Sequence, residues 1–455
     1  MLPTLLNLPG IQALSVEETE HDYHIKAAAT IGAAACPHCH HKDLYAFGRR
    51  EQFVRDLPMH GKRVGLYLDT QRYRCKACLK TFYHVPPVVD EKRQMTRRLV
   101  DWVGQEAMRQ TFVHIADETG IAERTVKLVF DDYAAALKKR VKFETPTVLG
   151  IDEIHLIRRP RAVLSNIQHC SVIEMLPDRD KQSVIAYLAG MHDRERIKVV
   201  TMDMWVPYRD AVTTVMPWAL IVIDKFHVLR SANYAMDEIR KQVGKALKVS
   251  AKRGLMHERR LLQMRETELN DSQRLIVESW LGGSPELKAA YEAKEALFNV
   301  YQHATKREAE AAYAAWETNL TPAQHAAFKP VVTLFKNWRP YIFNYFDQRF
   351  TNACTENANG LIRILNRMGR GYSFEALRAK VLFTTHPAHK VRRPAMRRME
   401  LRESYLTSGD VVGKVTFARS RSGFGCVTEM NEDEVMTSLG VDVSTLARLI
   451  ETGQV

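Results

Sequence analysis

Val148-Leu149-Gly150-Ile151-Asp152-Glu153 is a short apolar run that ends in two carboxylates, and its reading decides the fold. An apolar run of this length, closed by polar residues, is expected of a buried β-strand. Further runs follow at 162–167 and 172–176, then a helical stretch at 180–191. Ile197-Lys198-Val199-Val200-Thr201-Met202 reads as a fourth strand and ends at Asp203, and a fifth, 218–223, ends at Asp224. Three strands that each end in an aspartate call for a cause, because a carboxylate beside a buried strand is costly to desolvate unless a cation offsets the cost. The order strand, strand, strand, helix, strand, helix, strand is that of a ribonuclease-H-like α/β core, in which the first and fourth strands bring two acids together.

From about 225 to 346 the strand signal disappears and long helical periods take over, for example at 234–249, 253–269 and 285–313. This predicts a large all-helical insertion. Past it lies Thr351-Asn352-Ala353-Cys354-Thr355-Glu356-Asn357-Ala358-Asn359, where Thr355 reads as the cap region of a helix carrying Glu356, Asn359 and Arg363 along roughly one face. That face can return a third carboxylate to the two aspartates. By themselves the acids are weak evidence, since Asp and Glu are common at strand and helix ends.

The upstream residues carry a sharper signal. Four of the seven cysteines form two Cys-x-x-Cys pairs, Cys36/Cys39 and Cys75/Cys78. Two residues between thiolates let both sulfurs of a tight knuckle reach one tetrahedral Zn²⁺ at about 2.3 Å, and two knuckles close the site. The spacing predicts one structural zinc ion. The second knuckle, Tyr73-Arg74-Cys75-Lys76-Ala77-Cys78, is basic and aromatic, which suits a small zinc module better than a redox-active dithiol. His38, His40, His41 and Cys170 could substitute as ligands and are read as background.

Pro86-Pro87 marks a boundary, after which residues 94–110 place Leu99, Trp102 and Val103 at helical spacing, with Arg97, Arg98 and Arg109 available to phosphate. Residues 111–129 then read as a helix-turn-helix. Ala116 is small where two helices cross, Gly120 can take the positive φ of the turn, and Ile115, Ile121, Val126 and Val129 supply a shared core. Arg124, Thr125 and Lys127 fall on the exposed side of the second helix, positioned for a major groove. An ordinary helical hairpin is the alternative, and the basic zinc module beside it favours DNA.

The bulk properties agree. The 455 residues suffice for several domains, and 66 Lys+Arg against 53 Asp+Glu leave a net charge of +13, which favours a polyanionic partner. The excess concentrates at 62–98, 137–142 and 390–402. No apolar run reaches the roughly 20 residues of a bilayer crossing and no secretory signal is evident, so no membrane span is expected and the protein should work in the cytoplasm. The chain divides into a zinc-binding module (1–88), an all-α helix-turn-helix domain (89–145), a first part of the α/β core (146–228), the helical insertion (229–346), a second part of the core (347–390), and a basic segment with a C-terminal accessory module (391–455). Within that module 434–450 has a weak helix-turn-helix look.

Several of these motifs together resemble the ISL-three family of bacterial insertion-sequence transposases. The matching residues are Gly150-Ile151-Asp152-Glu153, Met202-Asp203-Met204-Trp205 with Pro207-Tyr208, Asp224-Lys225-Phe226-His227, and the stretch 351–359, with the cysteine pairs and the helix-turn-helix in the family's order over roughly residues 1–390. The resemblance implies an Asp-Asp-Glu triad at Asp152, Asp203 and Glu356, and an Asp-x-x-His signature at Asp224 and His227. Asn357 departs from it, since a glycine is implied after the glutamate.

Such a triad implies phosphodiester transfer. Two Mg²⁺ or Mn²⁺ ions about 3.5–4 Å apart can activate an attacking oxygen and stabilise a leaving one. In the implied roles Asp152 bridges the metals, Asp203 holds one and Glu356 completes the other, while His227 positions DNA or supports the site from behind. Glu153 is expected on the opposite face of its strand. The implied activity is cleavage at the terminal inverted repeats of an insertion sequence and joining of the freed 3′-hydroxyl to target DNA, by a homodimer or higher assembly, since two ends must be joined. A sequence-specific DNA-binding regulator derived from a transposase is the competing class, and a structure-selective nuclease or resolvase on the same scaffold is another. All three acids are present, which favours the enzyme.

Overall fold

A computed structural model of the chain describes residues 6–385, so the basic run at 390–402 and the 405–455 tail lie outside the described residues. The first element is a five-stranded sheet: β1 (Ile11–Glu18), β2 (Asp22–Ala29), β3 (Leu44–Met59), β4 (Lys62–Cys75) and β5 (Thr81–Tyr83). The strands run in the order β1-β2-β4-β3, with β5 beside β4; β2 and β4 are parallel and the other pairs antiparallel. His60 and Gly61, both at positive φ (52° and 76°), turn β3 into β4, the conformation that matches the twist of a two-residue hairpin. Ile25, Ala27, Val54, Val64, Leu66 and Leu68 form its small core.

Three helices follow: α1 (Arg97–Glu106), α2 (Phe112–Thr119) and α3 (Glu123–Arg140). Thr96 caps α1 by accepting from the Leu99 N–H, and Thr111 caps α2 by accepting from the His114 N–H. These caps explain why the helical stretch predicted over 94–110 is shorter than its period suggested. Gly120 closes α2 at φ 68°, a left-handed conformation that favours glycine, and a Cβ there would crowd the Arg63 side chain at 3.1 Å. Asp56 of β3 is almost fully buried and accepts from Thr96 Oγ1 (2.6 Å) and Arg98 Nε (2.8 Å), fastening α1 to the first sheet.

A second five-stranded sheet holds β6 (Val148–Leu156), β7 (Arg159–Asn166), β8 (Ser171–Met175), β9 (Val199–Met202) and β10 (Leu220–Ile223), in the order β10-β9-β6-β7-β8. β6, β7 and β8 are antiparallel neighbours, whereas β9 and β10 run parallel to β6. The crossovers are α4 (Lys181–Ala189) and α5 (Val206–Val215). Alternating side chains feed two cores, with Leu149, Ile151 and Leu164 in one and Ile154, Leu156 and Val163 in the other.

From β10 the chain runs through α6 (Lys225–Ala246), α7 (Val249–His257), α8 (Arg259–Gln263), α9 (Asp271–Gly282), α10 (Pro285–Val300), α11 (Lys306–Thr318) and α12 (Pro322–Phe343). The helix predicted over 285–313 is broken at Tyr301–Thr305, because Thr305 opens a new helix with a capping box to Glu308. The 253–269 helix is likewise divided, between α7 and α8. α13 (Ala353–Met368) and α14 (Phe374–Thr385) then return to the second sheet. Lys380 of α14 is buried against Phe112, Phe130 and Tyr372, and its ammonium donates to the carbonyls of Ala107 and Gln110 in the α1–α2 turn.

Candidate active site and zinc cluster

Strand pairing sets the first acids side by side. Ile151 of β6 pairs with Met202 of β9, and Met202 pairs with Ile223 of β10, so the next residues, Asp152, Asp203 and Asp224, stand at one level across three strands. Asp152 does not end its strand as the sequence predicted. β6 continues to Leu156 because its far half pairs with β7; only the parallel pairing to β9 stops before Asp152. Asp224 caps α6, accepting from the Phe226 N–H at 3.2 Å, which fixes His227 in the first turn. His227 Nδ1 lies 3.1 Å from Asp203 Oδ1, and the ligand-capable atoms of Asp224, His227 and Glu356 lie within 4.8 Å of one another. Glu356 therefore gathers with Asp224 and His227 more closely than the bare triad suggested.

A polar lattice presents Glu356. The Thr355 hydroxyl donates to Asn352 Oδ1 (2.7 Å) and meets Ser165 Oγ of β7 (2.6 Å), while Asn352 Nδ2 points at the Ile151 carbonyl (3.5 Å). Thr355 is thus a buried first-turn residue and not the cap; the helix starts after Asn352. Gly150 makes this approach feasible, since a Cβ there would come within 2.5 Å of Ser165 Oγ and 2.7 Å of Thr355 Oγ1. Cys170, read from the sequence as background, is joined by a disulfide to Cys354, beside this lattice. Asn359 Nδ2 donates to Asp152 Oδ2 at 2.8 Å, a partnership the sequence did not assign. Its signal was the helical spacing of polar residues 352, 355, 356 and 359. Arg363 remains exposed. Glu153 pairs with Arg179, whose guanidinium lies 4.4 Å from the Trp205 ring centroid.

The electrostatics are those of crowded anions. Burial pushes Asp203 up to about 8, with the charges of Asp152 and Asp224 adding to it. Burial also raises Asp152 against the Glu153 N–H, and raises Glu356 with help from Asp224 and Asp152. His227 is lowered by its burial, which the acids only partly oppose. Asp203 Oδ1, His227 Nδ1 and Asn359 Oδ1 are buried with no hydrogen-bond partner; the short His227–Asp203 approach is off hydrogen-bond geometry. Oxygen-rich, mutually repelling donors with unpaired lone pairs suit a hard divalent cation.

The four cysteines predicted to bind zinc come together at one end of the β3–β4 hairpin. Cys36 and Cys78 sulfurs are 3.6 Å apart and Cys39 and Cys75 sulfurs 3.5 Å apart, near the edge of about 3.8 Å that a tetrahedral Zn–S shell requires. The backbone N–H groups of Cys78 and Ala77 hold Cys75 down to about 6. Cys39 accepts from the His41 N–H, yet desolvation and the neighbouring thiols push it up to about 12. The cluster cannot fill with thiolates unless a cation neutralises them, and four sulfurs at this spacing fit structural zinc. On α3, Arg124 is exposed, whereas Thr125 and Lys127 are half-buried and Lys127 pairs with Asp131 at 2.5 Å.

Comparison with known proteins gives a consistent picture. Residues 149–381 match the ISL3-type DDE family described as a transposase, residues 32–78 a zinc-finger of transposase IS204/IS1001/IS1096/IS1165, and residues 84–134 the helix-turn-helix domain of transposase family ISL3. The chain is 22% identical over 379 residues to the transposase for insertion sequence element IS1001 of Bordetella parapertussis, covering 80% of this chain and 93% of that protein. It is 26% identical over 294 residues to the transposase for insertion sequence element IS1557 of Mycobacterium tuberculosis, covering 58% of this chain and 66% of that one. A match over more than half of its length, preceded by the zinc-finger and helix-turn-helix matches in the same order, shows that the chain belongs to the ISL3 family of transposases.

Proposed function

We propose that the protein recognises the terminal inverted repeats of its insertion sequence, cleaves at the element ends and joins the freed 3′-hydroxyl to target DNA. The observation that carries this reading is the level row Asp152, Asp203 and Asp224, faced by Glu356 and His227. The strand order β10-β9-β6-β7-β8, three antiparallel strands and two parallel ones, supports a ribonuclease-H-like core, with α6–α12 as its all-helical insertion.

Asp152, Asp203 and Glu356 would hold two Mg²⁺ or Mn²⁺ ions, with Asp224 and His227 close enough to share one. When bound, the ions would polarise the scissile phosphodiester and lower the pKa of the attacking hydroxyl. Asn359 and the Glu153 N–H each donate to one oxygen of Asp152, and the Asn352–Thr355–Ser165 lattice supports the turn that bears Glu356. In the first step a water oxygen attacks phosphorus and the 3′-oxygen of the element end leaves; in the second that 3′-oxygen attacks a target phosphodiester, whose own 3′-oxygen leaves. Arg124, Thr125 and Lys127 would read the duplex ends, and the zinc module would position the backbone. No described helix is long and apolar enough to cross a membrane. A homodimer or larger assembly on DNA follows from joining two ends. Labelled end DNA, incubated with and without Mg²⁺, tests the reading: Mg²⁺-dependent nicking at the element boundary is expected, and binding without any nicking would favour a DNA-binding regulator.

A further inference from the structure

Immediately beyond the acids, α6 presents Phe226, Arg230 and Tyr234 on one outward face, four residues apart. The two rings are large and wet, with Phe226 50% and Tyr234 52% exposed. Arg230 lies between them along the helix; its Nε donates to the Tyr234 hydroxyl at 3.0 Å and its guanidinium sits 5.5 Å from that ring's centroid. The stripe is aromatic, cationic, aromatic. It separates two hollows. One, of about 370 Å³, is shared with Asp203, Trp205 and His227. The other, of about 640 Å³, is lined by the cations Lys225, Arg230, Arg259 and Arg265 against the single carboxylate of Glu268. Arg259 and Arg265 are held by Asp237 and Asn299, so their positions are set before any ligand arrives.

Four residues of helix advance about 6 Å. Bases stacked in a duplex are about 3.4 Å apart along each strand. A ladder of rings at the wider interval cannot follow stacked, paired bases, but it suits bases drawn out of the stack, each resting on an aromatic or guanidinium face while the phosphates run along cations. We propose that this face of α6 is a track for a locally unpaired DNA strand, which takes the nucleotides flanking the scissile phosphate and leads them into the basic hollow. The inference rests on the transposase reading above, and it adds a requirement: the duplex opens at the cleavage point.

The test uses full-length protein carrying Glu356→Gln, free of divalent metal, with fluorescence anisotropy on a single-stranded oligonucleotide of the end sequence and on the same end as a duplex. Adding Phe226→Ala and Tyr234→Ala should weaken single-strand binding roughly tenfold or more, with little change on the duplex, and Tyr234→Phe, which keeps the ring, should restore its share. In cleavage by the chain with Glu356 intact, the double alanine variant should lose more on paired ends than on ends whose flanking pairs are mismatched. Equal losses on single strand and duplex, no loss on either, or equal losses on paired and mismatched ends would each overturn the track. Failure of the unaltered protein to nick any end DNA would instead count against the transposase reading, leaving the binding comparison to judge the track separately.

Discussion

Asp203 stands between Asp152 and Asp224, at the ends of β9 and β10 beside β6, and repels both, so that changing any one carboxylate alters the whole row. Asp152→Asn, Asp203→Asn or Glu356→Gln removes a charge and a metal donor at nearly constant volume. Each should cut end nicking by a factor on the order of 10⁴, with double variants little worse than single ones because the residues act as a unit. Gel-shift affinity for end DNA should be retained. Asn359→Ala should cost roughly 10–100-fold by releasing Asp152, as loss of a ligand's hydrogen-bond partner does elsewhere. Glu153→Gln should be milder, since Glu153 pairs with Arg179. Robust nicking by any of the first three would remove that residue from the site. The row of aspartates stood out in the sequence because each follows an apolar run, whereas Glu356 closes no such run and was placed by helical spacing and by the family resemblance. What could not be read was how they group. The closeness of Glu356 to Asp224 and His227 depends on where α13 lands, and that is set by contacts of Gly150, Ser165 and Thr355, which are far apart in the chain.

Elements decide which of the basic residues matter and what holds them. Lys127 is already engaged with Asp131, so Arg124→Ala should weaken end binding and flatten its salt dependence by about one unit of slope, with Lys127→Ala smaller. Titrating binding against salt concentration would reveal equal slopes if α3 does not face DNA. For the hairpin that carries the cysteines, metal analysis should return one zinc per chain, and Cys75→Ser should lower it and loosen the β3–β4 end; zinc-free, fully folded protein would refute this. Lys380 offers a pH test. Burial holds its ammonium down to about 8 from an ordinary 10.5. Between those values the unfolded chain keeps the proton and the folded chain does not, so this group adds stability as pH rises through that window, by about 3 kcal/mol in full, and its charge is a cost below it. Denaturant unfolding should show wild type gaining on Lys380→Met by that amount between about pH 7.5 and 10.5, and parallel profiles would contradict it. The first sheet escaped the sequence reading for a physical reason. Much of β3 is solvent-exposed on both faces, as its burial pattern shows, so no apolar alternation marked it, while the cysteines beside it drew attention to metal.

At the scale of the whole molecule, the helix-turn-helix and the sheet that bears the acids are packed as one. Val126, Val129 and Phe130 of α3 share a core with Ile154 of β6, Met175 of β8 and Leu377 of α14, and Lys380 hydrogen-bonds across the same seam. The sequence suggested a boundary near 145, where a change from helical to strand periodicity is visible, but periodicity is silent about which apolar faces meet. A reading helix tethered by a slack linker would let the cut wander along the duplex. With α3 reading the duplex as proposed, its seat in the same core as the acids would make the protein a ruler. The distance from the bases it grips to the phosphate it breaks is then a property of the polypeptide, not of the DNA. Inserting about five base pairs, half a helical turn, between the gripped bases and the natural end should therefore leave the cut at its old distance from the gripped bases, inside the inserted sequence. Mapping nicks at nucleotide resolution decides the matter: cleavage that instead follows the displaced terminal nucleotides would mean that the ruler bends.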